Sequence, residues 1–140
     1  MKLARLFGCL GLFIGLVGLV ALFAWVVVRF STPRPTLVFV GQVQDFLPGQ
    51  APRLIDQDST RFYVLNVNGD LLALYARSLR HTRCLVNWDG ARGVFIDPCL
   101  GTRFLPTGEY QGGGPPQELV QLPVQVKDSQ VWVEINFPKR

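Results

Sequence analysis

The chain has 140 residues, room for one domain and little besides. Hydrophobic residues make up 49% of it and charged ones 17%, which excludes a disordered or low-complexity protein. The formal charge is +4, yet Lys2, Arg5 and Arg29 flank a single apolar stretch, and without them eleven basic residues face ten acidic ones. That near-neutral remainder excludes the basic footprint of a nucleic-acid binder.

The first element in chain order is the uncharged run from Leu6 to Val28, 23 residues rich in Leu, Val, Phe and Gly. As a helix it spans about 34 Å at 1.5 Å per residue, enough for a hydrocarbon core of ~30 Å. A cleaved secretory signal is the competing reading. Its apolar region is shorter, roughly 7–15 residues, and it ends in small residues, whereas this run ends Trp25-Val-Val-Val-Arg29. The sequence therefore predicts an uncleaved anchor over residues 1–30. Basic residues at both ends leave its orientation tied. Gly11 and Gly15 form a G-x-x-x-G pair that lets a second membrane helix approach closely. Glycine is also simply common in membrane helices, and the two readings stand side by side.

Residues 31–36 form a short linker with Pro33 and Pro35, which break helical continuation. Beyond it the pattern turns extended. Leu37–Val40, Phe62–Val67, Leu71–Tyr75 and Val131–Ile135 are β-rich runs separated by Gly, Pro, Asn and Asp. Asn68-Gly69 between two apolar runs predicts a hairpin. Leu122–Val126 and Val131–Ile135, joined by Lys-Asp-Ser-Gln, predict another. Leu85–Trp88 and Gly93–Ile96 predict a third. No segment after residue 35 has a helical pattern, so residues 37–140 are expected to form an all-β domain, an antiparallel sandwich or small barrel.

The stretch from His81 to Phe104, HTRCLVNWDGARGVFIDPCLGTRF, holds the chain's one histidine and two of its three cysteines. With the two residues before it, its start reads Leu79-Arg80-His81-Thr-Arg83-Cys84. Its end reads Asp97-Pro-Cys99-Leu100-Gly-Thr102-Arg103-Phe104. These two boxes resemble those of the Rieske [2Fe–2S] domain family, Cys-x-His-x-x-Cys and Cys-x-Cys-His-Gly-Ser-x-Phe/Tyr. The resemblance extends over residues 37–135. Val43–Gly49 is similar to the family's opening strand and turn, and Asn68–Leu74 to the strand before the first box. Gly112–Pro116 is similar to the proline loop that shields the cluster, with Gly114, Pro115 and Pro116 at its centre. Leu122–Val133 is similar to the closing hairpin.

The resemblance implies a Rieske-like fold of the type found in cytochrome bc and b6f complexes. It also assigns ligand positions. One iron of the cluster takes a thiolate from each box and the other an imidazole from each box. The thiolate positions are Leu79 and Asp97, and the imidazole positions are His81 and Leu100. Only His81 retains its family identity. Leucine has no lone pair, and a carboxylate poorly replaces a soft thiolate, so no cofactor is expected and [2Fe–2S] enters only if this accounting fails. The remaining cysteines, Cys84 and Cys99, match the family's non-ligand pair, which implies a disulfide between the two loops. Two buried free thiols are the alternative. A disulfide implies an oxidising compartment, which places the N-terminus in the cytoplasm and the β domain on the periplasmic or extracytoplasmic side.

Asp97-Pro98 also reads as an ordinary turn opener, and a lone His81 as a polar loop residue. Arg77, Arg80, Arg83 and Arg103 form either a docking patch for an acidic partner or lipid headgroups, or a solvated loop. The functional expectation is a non-enzymatic, membrane-anchored accessory subunit. Its partners are the lipid bilayer and other transmembrane subunits of a respiratory or photosynthetic electron-transfer complex, with no nucleic acid. An electron carrier with a non-standard metal site at His81 and Asp97 is the alternative. Thiol–disulfide chemistry at Cys84 and Cys99 ranks below both, because no C-x-x-C motif is present.

Overall fold

The structure, a computed structural model, describes residues 18–27, 29, 36–57, 60–78 and 84–135. It divides into two units, Met1–Arg34 and Pro35–Arg140. In the first, residues 18–27 are helical, and Leu19, Val20, Leu22, Phe23 and Trp25 are exposed. No described helix is long and apolar enough to cross a membrane. Gly11, Gly15 and most of the anchor expected over residues 1–30 lie outside the described residues.

The second unit is all-β, as its patterning requires. Its described residues form β1 (Leu37–Gln42), β2 (Arg53–Gln57), β3 (Thr60–Val67), β4 (Asp70–Tyr75), β5 (Asn87–Asp89), β6 (Val94–Ile96), β7 (Arg103–Phe104), β8 (Tyr110–Gly112), β9 (Gln121–Leu122), β10 (Val124–Lys127) and β11 (Gln130–Glu134). Three antiparallel sheets result, in the orders β1-β11-β10, β2-β3-β4-β9 and β5-β6-β7-β8. One 3-10 turn, Val43–Asp45, follows β1.

The middle sheet explains why β3 reads as a continuous apolar run. Side chains alternate across a strand, and here both faces are covered. Phe62, Val64 and Ala73 pack with Val40, Phe46, Val131 and Val133. Tyr63, Leu65 and Leu74 pack on the other side with Val86, Phe95, Phe104 and Leu119. Phe62, Phe95 and Phe104 are fully buried, and each such side chain contributes about 1.5–3 kcal/mol.

The turns follow their chemistry. Asn68 and Gly69 close the β3–β4 hairpin with φ of 55° and 102°, the positive values of a tight primed turn. The closing hairpin turns tightly on Asp128 and Ser129, with φ of 51° and 62°. Its first arm is shorter than expected. Leu122 belongs to β9 and pairs with Ala73 in the middle sheet, and Pro123 separates it from β10. Proline has no N–H to donate, so the strand changes sheet there, and the Pro123 carbonyl accepts from the Glu134 N–H at 2.9 Å. The β5–β6 hairpin starts at Asn87, two residues later than the apolar run, because Leu85 is taken by an isolated bridge to Arg77.

Candidate functional site

Two loops meet here, one joining β4 of the middle sheet to β5 of the third and the other joining β6 to β7. The first departs after Ala76 and returns at Leu85. Its base is closed by the Arg77–Leu85 bridge and by the Val86 N–H donating to the Ala76 carbonyl at 2.9 Å. The second runs from Asp97 to Thr102, between β6 and β7. Cys84 and Cys99 join them as a disulfide, with Cα atoms 6.2 Å apart and a sequence separation of 15. Cys84 is half-buried and Cys99 exposed. Leu79, Arg80, His81 and Arg83 lie outside the described residues.

Asp97 organises the second loop from inside. Its side chain is fully buried. Oδ1 accepts the backbone N–H of Cys99 at 2.9 Å and of Leu100 at 3.2 Å. The Asp97 N–H donates to the Thr102 carbonyl at 2.9 Å, and the Gly101 N–H to the Asp97 carbonyl at 2.8 Å. The carboxylate thus does for this turn what an N-cap does for a helix, holding backbone donors that the tight bend would leave unpaired. Oδ2 is buried with no hydrogen-bond partner among the described residues, and so is the Thr102 hydroxyl.

The glycine–proline loop closes over this turn. Gly113 has φ +84°, and a Cβ there would collide with the Gly101 carbonyl; a Cβ on Gly114 would strike the Leu100 carbonyl and come within 2.7 Å of Thr102 Oγ1. Backbone packs on backbone, which only glycine permits. The Tyr110 hydroxyl lies 3.1 and 3.2 Å from the Gly113 and Gly114 carbonyls. Pro115 is half-buried and Pro116 exposed. The buried Ser78 hydroxyl donates to Gln117 Oε1 at 2.8 Å, tying the foot of the first loop to the segment between β8 and β9.

Beneath the loops, Tyr63 and Phe95 make a tilted ring contact with centroids 5.0 Å apart, and Phe95 and Trp88 meet edge-on at 4.8 Å. The Tyr63 hydroxyl donates to the Val86 carbonyl at 3.0 Å. Burial pushes this phenol above its ordinary value, opposed by a backbone hydrogen bond at Trp88.

Half of the expected donor set is therefore visible. Asp97 and Leu100 adjoin the bridge, but Leu100 is aliphatic and Asp97 turns one oxygen back onto its own loop. These two residues do not fit the thiolate and imidazole that a [2Fe–2S] cluster takes from this box. Of the arginines, Arg77 sits half-buried at the first loop's foot and Arg103 is exposed on β7. Sequence reasoning did not find the double cap of Asp97, the Ser78–Gln117 tie or the buried Thr102. Asp-Pro signals a turn but not its burial.

Comparison with known proteins gives a consistent answer. No family model matches the chain. It is 30% identical over 96 residues to the cytochrome b6-f complex iron-sulfur subunit of Chlorobaculum tepidum, covering 69% of this chain and 52% of that one. It is 34% identical over 61 residues to the chloroplastic cytochrome b6-f complex iron-sulfur subunit of Oryza sativa subsp. japonica, covering 41% and 27%. The chain spans about half the length of the first of these curated relatives. Among solved structures it is similar to the cyanobacterial plasma membrane Rieske protein PetC3 from Synechocystis PCC 6803, with TM-score 0.57 and 25% identity over 69% of this chain and 98% of that one. The ferredoxin of carbazole 1,9a-dioxygenase from Nocardioides aromaticivorans shares the fold, with TM-score 0.52 and 17% identity over 71% and 97% of the two chains.

Proposed function

The chain belongs to the Rieske-like family, and from that premise we propose that it is a membrane-anchored subunit which keeps the Rieske fold without a [2Fe–2S] cluster. It serves an electron-transfer membrane complex as a structural or accessory piece, not as an enzyme. The observation that carries this reading is Asp97. At a thiolate position of the second box stands a fully buried carboxylate, engaged by two N–H groups of its own turn. Beside it Leu100 stands where the family has an imidazole, and Leu79 where it has the other thiolate. A thiolate at Asp97 would bridge loop to metal; the carboxylate ties the loop to itself.

The host is suggested by the relatives, which are named as subunits of the cytochrome b6-f complex. The uncharged run from Leu6 to Val28 supplies the anchor, and Gly11 with Gly15 a face on which another membrane helix could pack. The Cys84–Cys99 bridge supports an extracytoplasmic β domain, since such bridges persist in oxidising compartments. In the sequence Arg77, Arg80, Arg83 and Arg103 cluster about the two boxes, a charge pattern that suits an acidic partner or lipid headgroups.

The test is to purify the full chain from an iron-replete host and measure iron, acid-labile sulfide and the visible spectrum. Colourless, iron-free protein with an intact bridge is the expected result. Stoichiometric iron and sulfide with a visible charge-transfer band would overturn the reading.

A further inference from the structure

The Cys84–Cys99 bridge has a neighbour with unused capacity. One ligand atom from each of Cys84, Asp97 and Cys99 lies within 4.8 Å of the others. Asp97 has no exposed surface, and its oxygens are unequally employed. Oδ1 accepts two backbone N–H groups, while Oδ2 is buried without a hydrogen-bond partner among the described residues. A buried acceptor left unpaired carries its full desolvation cost, and folds rarely leave one without use. A cation would satisfy it. While the sulfurs are bonded to each other, however, neither has a thiolate to contribute.

We infer that reducing the Cys84–Cys99 bridge turns this corner into a binding site for a borderline-soft divalent cation of the zinc type, held by both cysteine thiolates and the Asp97 carboxylate. The reductant is a dithiol. It attacks one bridge sulfur and then releases itself as a cyclic disulfide, so one S–S bond breaks and another forms. Two electrons and two protons pass to Cys84 and Cys99. The cation then displaces both thiol protons to solvent and takes the two thiolates. Cys99 is exposed, so dithiol and cation both have access.

The dimensions suit this chemistry. A zinc–sulfur bond is about 2.3 Å, so two thiolates on one ion stand roughly 4 Å apart, which Cα atoms 6.2 Å apart accommodate. Two sulfurs and one oxygen select a tetrahedral zinc-like ion over the oxygen-bound magnesium or calcium. A solvent water can supply the fourth ligand, since Cys99 is exposed. The inference rests on the cluster-free reading at Asp97, a position that the family gives to its cluster, while its two cysteines are those that the family keeps outside. Iron and sulfide in the oxidised chain test that reading; metal uptake by the reduced chain tests this one.

The experiment uses the full chain in detergent with Cys9→Ser, so that only the two bridge cysteines remain. The protein is reduced with a dithiol under argon, desalted and titrated with cobalt(II), then with zinc(II). The expected result is one cobalt per chain with sulfur-to-cobalt charge transfer and the intense visible bands of a tetrahedral site, which zinc abolishes. Unreduced protein shows none of these. Asp97→Asn can keep an acceptor for the turn but loses the charge, and it weakens cobalt binding by at least about tenfold. Zinc should also raise the melting temperature of the reduced chain and leave that of the oxidised chain unchanged. Absence of sulfur-to-cobalt charge transfer overturns the inference. So does Asp97→Asn binding with unchanged affinity and bands, or a reduced chain that unfolds and is not restored by zinc.

Discussion

Breaking the Cys84–Cys99 bridge offers a quantitative test of what holds the two loops together. With a sequence separation of 15, the chain-entropy relation gives a stabilisation of about 3 kcal/mol at 25 °C. The perturbation is Cys84→Ser with Cys99→Ser, made in the β domain from Pro35 to Arg140 and compared with oxidised protein in a chelator. For a domain of this size 1 kcal/mol corresponds to roughly 4–8 °C, so the melting temperature should fall by roughly 12–24 °C. A urea slope of about 1–3 kcal/mol/M converts the same loss into a midpoint shift of about 1–3 M. Urea unfolding followed by tryptophan fluorescence and far-UV circular dichroism reads this directly, since Trp88 sits on the sheet beneath the loops. Coincident midpoints for oxidised and serine-substituted protein would refute the reasoning. They would mean that the loops open locally below the global transition and that the bridge constrains nothing in the unfolded chain.

Three further outcomes are expected. Tyr63→Phe removes the donor to the Val86 carbonyl and should cost about 1–2 kcal/mol at neutral pH. Because the folded phenol is raised from 10.0, its contribution is fully present below that value and is lost as pH rises through the folded pKa; an alkaline urea series on the variant should lack that decline. Phe95→Ala empties a fully buried site between Tyr63 and Trp88 and should destabilise the domain by about 3–5 kcal/mol in the same assay. Restoring the donors with Leu79→Cys, Asp97→Cys and Leu100→His, beside the native His81, should give a coloured protein with about two irons and matching acid-labile sulfide per chain; a colourless triple variant would show that the ligand positions have been misassigned.

The β3–β4 hairpin was legible because its signal is local. Asn68-Gly69 permits the positive φ that the turn requires, and the apolar runs on either side fix the register. The run from Phe62 to Leu65 was legible as a strand, but covering of both its faces depends on the other two sheets. β2 escaped because only Leu54 and Ile55 are apolar in it, and as an edge strand it buries little. β7, β8 and β9 are two or three residues long, and they exist only through their neighbours' hydrogen bonds. Pro123 was a readable signal for the strand's change of sheet, since a residue without an N–H interrupts a ladder. At the site, the family resemblance singles out Cys84, Cys99 and Asp97 from the sequence alone. The depth of Asp97 was not legible, because an Asp-Pro pair ordinarily marks a solvated turn. The glycines of 112–114 were visible as glycines, while their reason, carbonyl groups of the opposing loop where a Cβ would stand, is a tertiary fact.

The second loop is over-determined by the chain itself, and that bears on how a Rieske fold can dispense with its donors. Three separate ties act on six residues: Asp97 Oδ1 from within, the bridge at Cys99 from the first loop, and the Gly113–Gly114 backbone from above. Each charge-assisted hydrogen bond contributes about 1.5–3 kcal/mol and the bridge about 3 kcal/mol. A metal at this place would act mainly as one more cross-link between loops that the disulfide already joins. On the cluster-free reading proposed above, Asp97 would serve as a loop cap where the family has a cofactor ligand, with two hydrogen bonds to the backbone in place of a bond to a cluster. The glycine loop closes against this turn. On this argument the tip of the domain retains its shape for a partner to recognise, whether or not electrons pass through it.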